Sequence, residues 1–244
     1  EKVPSTDLTV LTHTHSDCTD IWPVYFDSLN SYFLGNFPKK VDHYVVTNKM
    51  IQDVPNIKQY IYHDTSPFSQ RLKEAVEAIK TEFFLFMLED YIPYAPIQNE
   101  AISKFLKVMK EDPSVGFIRL LQSGAPEIAD YNEDLYVINP AAPYFFSTQV
   151  TIWRKETFLK LINSWTIQTV RSEPETSGPL RDMNVVGLCV KDRGEKTGGD
   201  HWDSICFPYV ATPVCGGKWN TSEYPLLLNK LSQYGIDPNI RGCR

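Results

Sequence analysis

Phe83-Phe84-Leu85-Phe86-Met87-Leu88-Glu89-Asp90-Tyr91 is an apolar run that stops in two adjacent carboxylates. Six apolar residues without alternation, bounded by polar ones, fit a strand buried on both faces of a sheet. In an open α/β sheet ligands bind in the crevice beyond the carboxyl ends of the strands, which is where Glu89 and Asp90 would emerge. Neighbouring carboxylates repel and lose hydration unless they meet a cation, and Mg²⁺ or Mn²⁺ on a phosphate suits hard oxygen ligands. The competing reading is a strand that simply ends in a solvated turn.

Upstream, the chain alternates strand and helix. Leu8 to Thr12 reads as a buried first strand, followed by a polar loop from His13 to Asp20 and a helix from Trp22 to Leu29, with Asp20 placed to cap it. Val41 to Thr47 is a second strand ending at Asn48, and Ile57 to Tyr62 a third that delivers His63 and Asp64. Phe68 to Thr81 carries Leu72, Ala75, Val76 and Ile79 at helical spacing. This rhythm predicts a mostly parallel α/β sheet flanked by helices. Downstream, Ile97 to Met109 is helical, and Val115 to Leu121 and Phe145 to Trp153 are strands. Trp165 to Gly199, rich in charge, Pro and Gly, reads as loop around one helix from Pro179 to Val190.

The formal net charge of -6 argues against a general nucleic-acid binder, whose affinity comes from neutralising phosphates. No apolar run is long enough to cross a bilayer, and Glu1 to Asp7 lack a secretory pattern, so a soluble, cytoplasmic chain is expected, working alone or as one module of a larger protein. Five scattered cysteines without zinc spacing read as reduced thiols.

The predicted sheet edge collects Thr12, His13, Thr14 and Asp17 from the first loop, Asn48 from the second, Asp64 and Arg71 from the third, and Glu89 with Asp90. Such a set suits a nucleotide: Thr, Asn and Asp read base and ribose, Arg71 takes a phosphate, and the carboxylates hold its metal. His13 and His15 fit exposed loop positions as readily as ligand positions.

The succession "HDTSPFSQRLKEAVEAIKTEFFLFMLEDY", "FFSTQVTIWRKETFLKLI" and "GGKWN" resembles the GT-A type nucleotide-sugar glycosyltransferases, especially a branch whose metal motif reads Leu-Glu-Asp-Tyr or Phe. The resemblance runs from Leu8 to about Arg241 and is weakest from Trp165 to Gly199. It implies one domain over 1–244, with a nucleotide-binding part about 7–92 and an acceptor-side part about 93–244. By that resemblance Glu89-Asp90 is a variant of the DxD motif binding Mn²⁺ or Mg²⁺, with Tyr91 where a further Asp often stands. Thr12 and Thr14 would contact the nucleoside, Asn48 or Asp64 the base, and Arg71 the diphosphate. Asn48 replaces the Asp usual in relatives, which leaves the base open between UDP and others.

Glycosyl transfer needs the leaving diphosphate's charge neutralised and an acceptor hydroxyl deprotonated. Base candidates are Glu173, Glu175, Asp182, Asp200 and Asp203. Asp182 leads because Ser177-Gly178-Pro179 looks like a helix start, which would put Asp182 in a first turn; Glu175 is second and Asp203 third. Ser147, Gln149 and Trp153 are candidates for the acceptor or sugar pocket, Trp153 reading equally as core. Lys218 in Gly216-Gly217-Lys218-Trp219-Asn220 would close over the diphosphate, or the two glycines make a tight turn. The expected function is transfer of a sugar, UDP-hexose being the favoured donor, to a glycan or other hydroxyl acceptor with inversion. The alternatives are a nucleotidyltransferase acting on sugar phosphates, disfavoured by a first loop without glycine or lysine, and a catalytically inactive glycan- or nucleotide-binding module.

Overall fold

A computed structural model describes residues 7–122, 126–199 and 201–244. In chain order the strands are β1 Leu8–His13, β2 Asp42–Thr47, β3 Ile57–Ile61, β4 Phe83–Leu88, β5 Ile92–Pro93, β6 Val115–Arg119, β7 Glu127–Asp130, β8 Leu135–Ile138, β9 Thr151–Arg154, β10 Val186–Val190, β11 Tyr209–Val210, β12 Val214–Cys215 and β13 Lys218–Trp219. The helices are α1 Trp22–Leu29, α2 Phe68–Ala78, α3 Asn99–Glu111, α4 Lys155–Ser164, α5 Glu173–Asp182, α6 Leu226–Gln233 and α7 Pro238–Arg241.

Nine strands form the main sheet in the order β3-β2-β1-β4-β9-β6-β10-β8-β7. β3, β2, β1 and β4 are mutually parallel, β9 runs antiparallel between β4 and β6, and β10 returns parallel to β6. The carboxyl ends of β1 to β4 therefore share one edge, as the strand-helix rhythm predicts.

β4 is buried on both faces for the reason its unalternating sequence suggests. Phe83, Leu85 and Met87 pack with Val24, Tyr25 and Leu29 of α1 and Ile102, Phe105 and Met109 of α3. Phe84 and Phe86 pack the opposite way with Leu72 and Val76 of α2 and Phe158 and Leu161 of α4. Truncating one of these rings to alanine costs about 3–5 kcal/mol.

Four elements depart from expectation. Asp20 does not cap α1, whose N-cap is Ile21 without a side-chain bond. The strand expected from Phe145 is only Thr151–Arg154, and the residues before it form a turn. The helix expected from Pro179 begins instead at Glu173 and stops at Asp182, with Pro179 inside it. Val186–Val190 is not helix but a sheet strand between β6 and β8. Among the described residues no helix is long and apolar enough to cross a membrane. All five cysteines are free thiols.

Candidate functional site

β4 ends in a tight turn. Tyr91 donates its N–H to Leu88 O at 3.1 Å, and Glu89 and Asp90 occupy the corner. The turn is not a solvated one: both residues are partly buried, and Asp90 Oδ1 is buried with no hydrogen-bond partner. Burial first, and then the neighbouring Glu89 charge, push the Asp90 carboxyl up to about 8. Burial likewise raises Glu89, against hydrogen bonding to Cys18 and the charges of Arg241 and His15. Two crowded acids, one with an orphaned oxygen, form a donor set that fits a hard divalent cation. Among the described residues no group of three or more His, Cys, Asp or Glu could cage a metal. An ion held by Glu89 and Asp90 would thus take its other ligands from substrate and water, which is how Mg²⁺ usually binds.

Beside the acids lies a cavity of roughly 320 Å³, lined by His13, His15, Phe68, Arg71, Leu88, Glu89, Asp90 and Gln168 to Val170. His13 stacks on Tyr62 at 5.3 Å and meets the Phe68 edge at 5.0 Å. Burial, then Arg71 and His15, lower its pKa to about 3, so the ring is neutral. Arg71 is braced: Nε donates to Ser66 O and Nη2 to Asp64 O, each at 2.8 Å, and the guanidinium lies 4.7 Å from the Tyr62 ring centre. A larger cavity, about 810 Å³, flanks α1 and the β2–β3 connection, but it contains neither the acid pair nor Arg71.

His15, which reads from sequence as an exposed loop residue, organises this edge. Its Nδ1 accepts the Asp17 N–H at 3.0 Å, and its Nε2 lies 3.2 Å from Asp64 Oδ1. Asn48 is spent on the same loop: Oδ1 accepts from Ser16 N at 2.8 Å, and Nδ2 lies 2.9 Å from His15 Nε2. Asp17 and Asp64 are exposed at the rim.

Two expected nucleoside contacts are corrected. Thr12 is fully buried, its hydroxyl shared between Tyr25 Oη at 2.7 Å and His43 Nε2 at 2.8 Å. Thr14 is fully buried as well, and its Oγ1 accepts from Trp22 Nε1 at 2.7 Å. Thr12 has no solvent face because β1 is covered on both sides, whereas Thr14, just past its end, is closed in by Trp22 and by Tyr62, whose Oη donates to Thr14 O at 2.9 Å.

Asp182 is corrected too. It closes α5 rather than opening it, is exposed, and faces its neighbour Arg181 at 3.4 Å. The first turn of α5 instead holds Glu173 and Glu175, the latter exposed. Glu173 Oε1 accepts from Thr148 N at 2.6 Å, Ser147 Oγ at 3.0 Å and Thr148 Oγ1 at 3.1 Å. Underneath, the fully buried Arg119 donates to Tyr144 O at 2.8 Å and Phe145 O at 3.1 Å, fixing the turn that carries Ser147 and Thr148. Gln149 accepts from Tyr209 Oη at 2.8 Å, and Trp153 is core. Asp203 accepts from Thr197 Oγ1, and Asp200 lies outside the described residues.

Lys218 is exposed on the β12–β13 hairpin, where Gly216 and Gly217 have φ of +60° and +77°. The glycines make the tight turn, and Lys218 is not in the cavity wall. Sequence reasoning missed the wall residues Gln168 to Val170, which reach the site because Phe68 N and Ser69 N, the first amides of α2, donate to Gln168 O and Ile167 O. It also missed Cys18, Arg119 and Arg241. Only their three-dimensional neighbours mark them.

No family model matches the chain, and no curated protein sequence does. Solved structures do. TarS 1–349 of S. aureus superposes with a TM-score of 0.54 at 14% identity, covering 96% of this chain and 66% of that one. The same fragment in complex with UDP-GlcNAc gives 0.53 at 14% identity over 78% of this chain and 57% of that one. A CMP:2-keto-3-deoxy-manno-octonic acid synthetase complexed with CTP gives 0.52 at 12% identity over 94% of this chain and 99% of that one. The chain thus spans just under two thirds of the TarS fragment. What it shares with these proteins is the fold, a GT-A-like, mostly parallel α/β sheet flanked by helices.

Proposed function

We propose that the chain is a metal-assisted glycosyltransferase of the Leu-Glu-Asp-Tyr branch of GT-A enzymes, moving a sugar from a nucleotide-sugar donor, UDP-hexose by preference, to a hydroxyl of a glycan or other acceptor. The observation that carries this is the orphaned, buried Asp90 Oδ1 beside Glu89 at the carboxyl end of β4. Glu89 and Asp90 would hold Mn²⁺ or Mg²⁺, which when bound supplies neutralisation of the leaving diphosphate. Arg71 and the neutral His13 form the wall beside it. TarS in complex with UDP-GlcNAc has the same fold, which supports a nucleotide-sugar at this edge.

For the base, the reading moves to the first turn of α5, Glu173 first and Glu175 second. Three donors fix one oxygen of Glu173, which orients its carboxylate for taking a proton from an acceptor hydroxyl. A base separate from the leaving group suits inversion. Glu173→Gln keeps an acceptor for Thr148 and should leave donor binding intact while removing turnover.

Calorimetry with UDP and Mn²⁺, followed by a donor-hydrolysis screen across UDP-sugars, tests the reading. Binding of UDP, GDP and CDP that Mn²⁺ does not strengthen would sink it. Metal-strengthened binding without hydrolysis or transfer would make the chain a binding module. A nucleotidyltransferase is the second reading, favoured by a CTP-complexed neighbour matched over 99% of its length. Pyrophosphate release from CTP or UTP with a sugar phosphate would establish it; the first loop, His13 to Asp20, has no glycine or lysine to hold a triphosphate.

A further inference from the structure

The cavity of about 810 Å³ beside α1 exists because one crossover lacks a helix. β2 and β3 are parallel, and parallel neighbours are usually joined through a helix that covers the sheet. Residues 48–56 make this connection without one, on the same face as α1, where Ile51 shares a core with Val45 of β2 and Val24 of α1. An extended segment fills less of that layer than a helix would, and the remaining space lies between it and α1. Its walls are fixed. Gln59 of β3 clamps the segment, Oε1 accepting from Ile51 N at 2.7 Å and Nε2 donating to Ile51 O at 2.8 Å. Across the cavity, the half-buried Trp22 is tied to Thr14, and the Phe26 ring lies 5.8 Å from that of His43, which is itself 2.8 Å from Thr12 Oγ1. Two aromatic rings are thereby held in place on the α1 side, facing an exposed polar segment.

We infer that this cavity is a second binding site, separate from the acid pair, and that it takes a neutral oligosaccharide. The inference does not rest on the nucleotide-sugar reading. Its volume is that of a small-molecule site, and its walls are largely preformed. A pyranose offers two kinds of surface, C–H faces that lie on aromatic rings and hydroxyls that pair with carboxylates and amides. Trp22 and Phe26 supply the first. Asn30, Gln52, Asp53 and Asn56 supply the second, together with the Asp27 oxygen left over when Oδ2 accepts from Tyr234 Oη. A phosphate does not suit the same walls: among the described residues that line them, Lys40 is the only Lys or Arg, against the carboxylates of Asp27 and Asp53. A lipid chain would strand the amides and acids without partners.

The test titrates cellotetraose, chitotetraose, maltotetraose and mannotetraose singly into the full chain, without nucleotide or metal, and follows the Trp22 indole N–H and the amides of residues 51–57 by NMR. At least one should bind with a Kd below ~1 mM and shift those signals together. Trp22→Ala should weaken that saccharide by ~10-fold or more, since it removes a stacking face. Asp53→Asn, which keeps a residue tolerant of the φ of +62° there, and the exposed Gln52→Ala should each weaken it by about 3-fold. If Trp22→Ala fails to fold, Asp53→Asn and Gln52→Ala carry the comparison. No binding by any of the four, binding indifferent to the variants, or shifts confined to the cavity of His13 and Arg71 would overturn the inference, as would benzylamine or pyrophosphate occupying these walls instead. A chain that binds a saccharide here but no UDP loses only the nucleotide-sugar reading, and one that binds UDP with no saccharide in this cavity loses only this one.

Discussion

The two ends of the main sheet are joined differently. β1 and β4 align over six consecutive pairs, Leu8 with Phe83 through His13 with Leu88, without a slip. Across the sheet, β10 meets β6 with a register shift at Val186/Gly187, and β7 meets β8 with another at Glu127/Ala129. The regular end carries the acid pair directly on a strand terminus. The irregular end supplies Glu173 from the first turn of α5, held by the turn that carries Ser147 and Thr148. A site built across such a divide gains a rigid floor and adjustable walls. It also predicts that damage on the two sides will look different.

Asp90→Asn should produce the largest functional effect, because it acts on the rigid side without disturbing it. Losing a buried charge that pairs with a cation costs about 3–5 kcal/mol, so Mn²⁺-strengthened UDP binding should fall by ~100-fold or more. Stability should move the other way. The Asp90 carboxyl titrates near 8 in the fold against 3.8 as the ordinary value, so between those values the folded state binds more protons and stability falls as pH rises. Asparagine removes that cost, and the metal-free variant should melt higher than wild type at pH 8 but not at pH 4. Equal or lower melting at pH 8 would mean the acid pair is not crowded.

Gly187→Ala attacks the irregular side. A Cβ there would lie 2.2 Å from the Phe117 ring and 2.7 Å from that of Phe145, so β10 must shift or the aromatic cluster must open. Overpacking of this kind costs about 1–3 kcal/mol, or roughly 2–4 °C per kcal/mol in a chain of this size. If the two sides are as separable as their registers suggest, UDP affinity at a temperature where the variant is folded should be unchanged. A parallel loss of affinity would show that the floor leans on the walls.

This divide is also where legibility in the sequence stopped. β1 to β4 and α1 to α3 follow from hydrophobic period because each run is long, uninterrupted and separated by turn residues. Val186 to Val190 could not be told from a buried helix, since four apolar residues around Gly187 fit either period and Pro179 upstream looked like a helix start rather than an interior residue. Glu89 and Asp90 were readable because a strand end fixes their place. Thr12 and Thr14 misled because residue type suggests ligand contact, whereas strand alternation and the covering α1 decide burial. Arg241 lies more than two hundred positions from its partner Asp20, a pairing that no local pattern encodes.

Acid should expose a second contrast within the regular side. His13 and His43 are held near 3, in both cases chiefly by burial, against 6.5 when free. Below 6.5 the unfolded chain therefore binds more protons than the fold, and stability is lost as pH falls. By linkage each site costs about 2 kcal/mol at pH 5. His43→Gln, whose amide can still meet Thr12, should flatten the fall in melting temperature between pH 6.5 and 5 and leave it unaltered at pH 8. A variant that follows the wild-type profile would mean that His43 gains a proton without unfolding.

The smallest effect is expected from Asp182→Asn, and it sharpens the comparison because both polar ends of α5 carry acids. Glu173, in the first turn, has three donors on one oxygen and a helix N-terminus behind it. Asp182, in the last residue, has a side chain 74% exposed and only an adjacent Arg181 for company. An acid at a helix C-terminus opposes the macrodipole, so neutralising it removes a small repulsion along with a weak ion pair. The two nearly cancel, and melting should stay within about 0.5 kcal/mol of wild type. Turnover should also be unchanged, while Glu173→Gln, a substitution of equal size nine positions earlier, abolishes it. Should Asp182→Asn stop transfer with donor binding intact, the base would belong to the exposed end of α5, and the acceptor would have to approach from the face opposite Thr148.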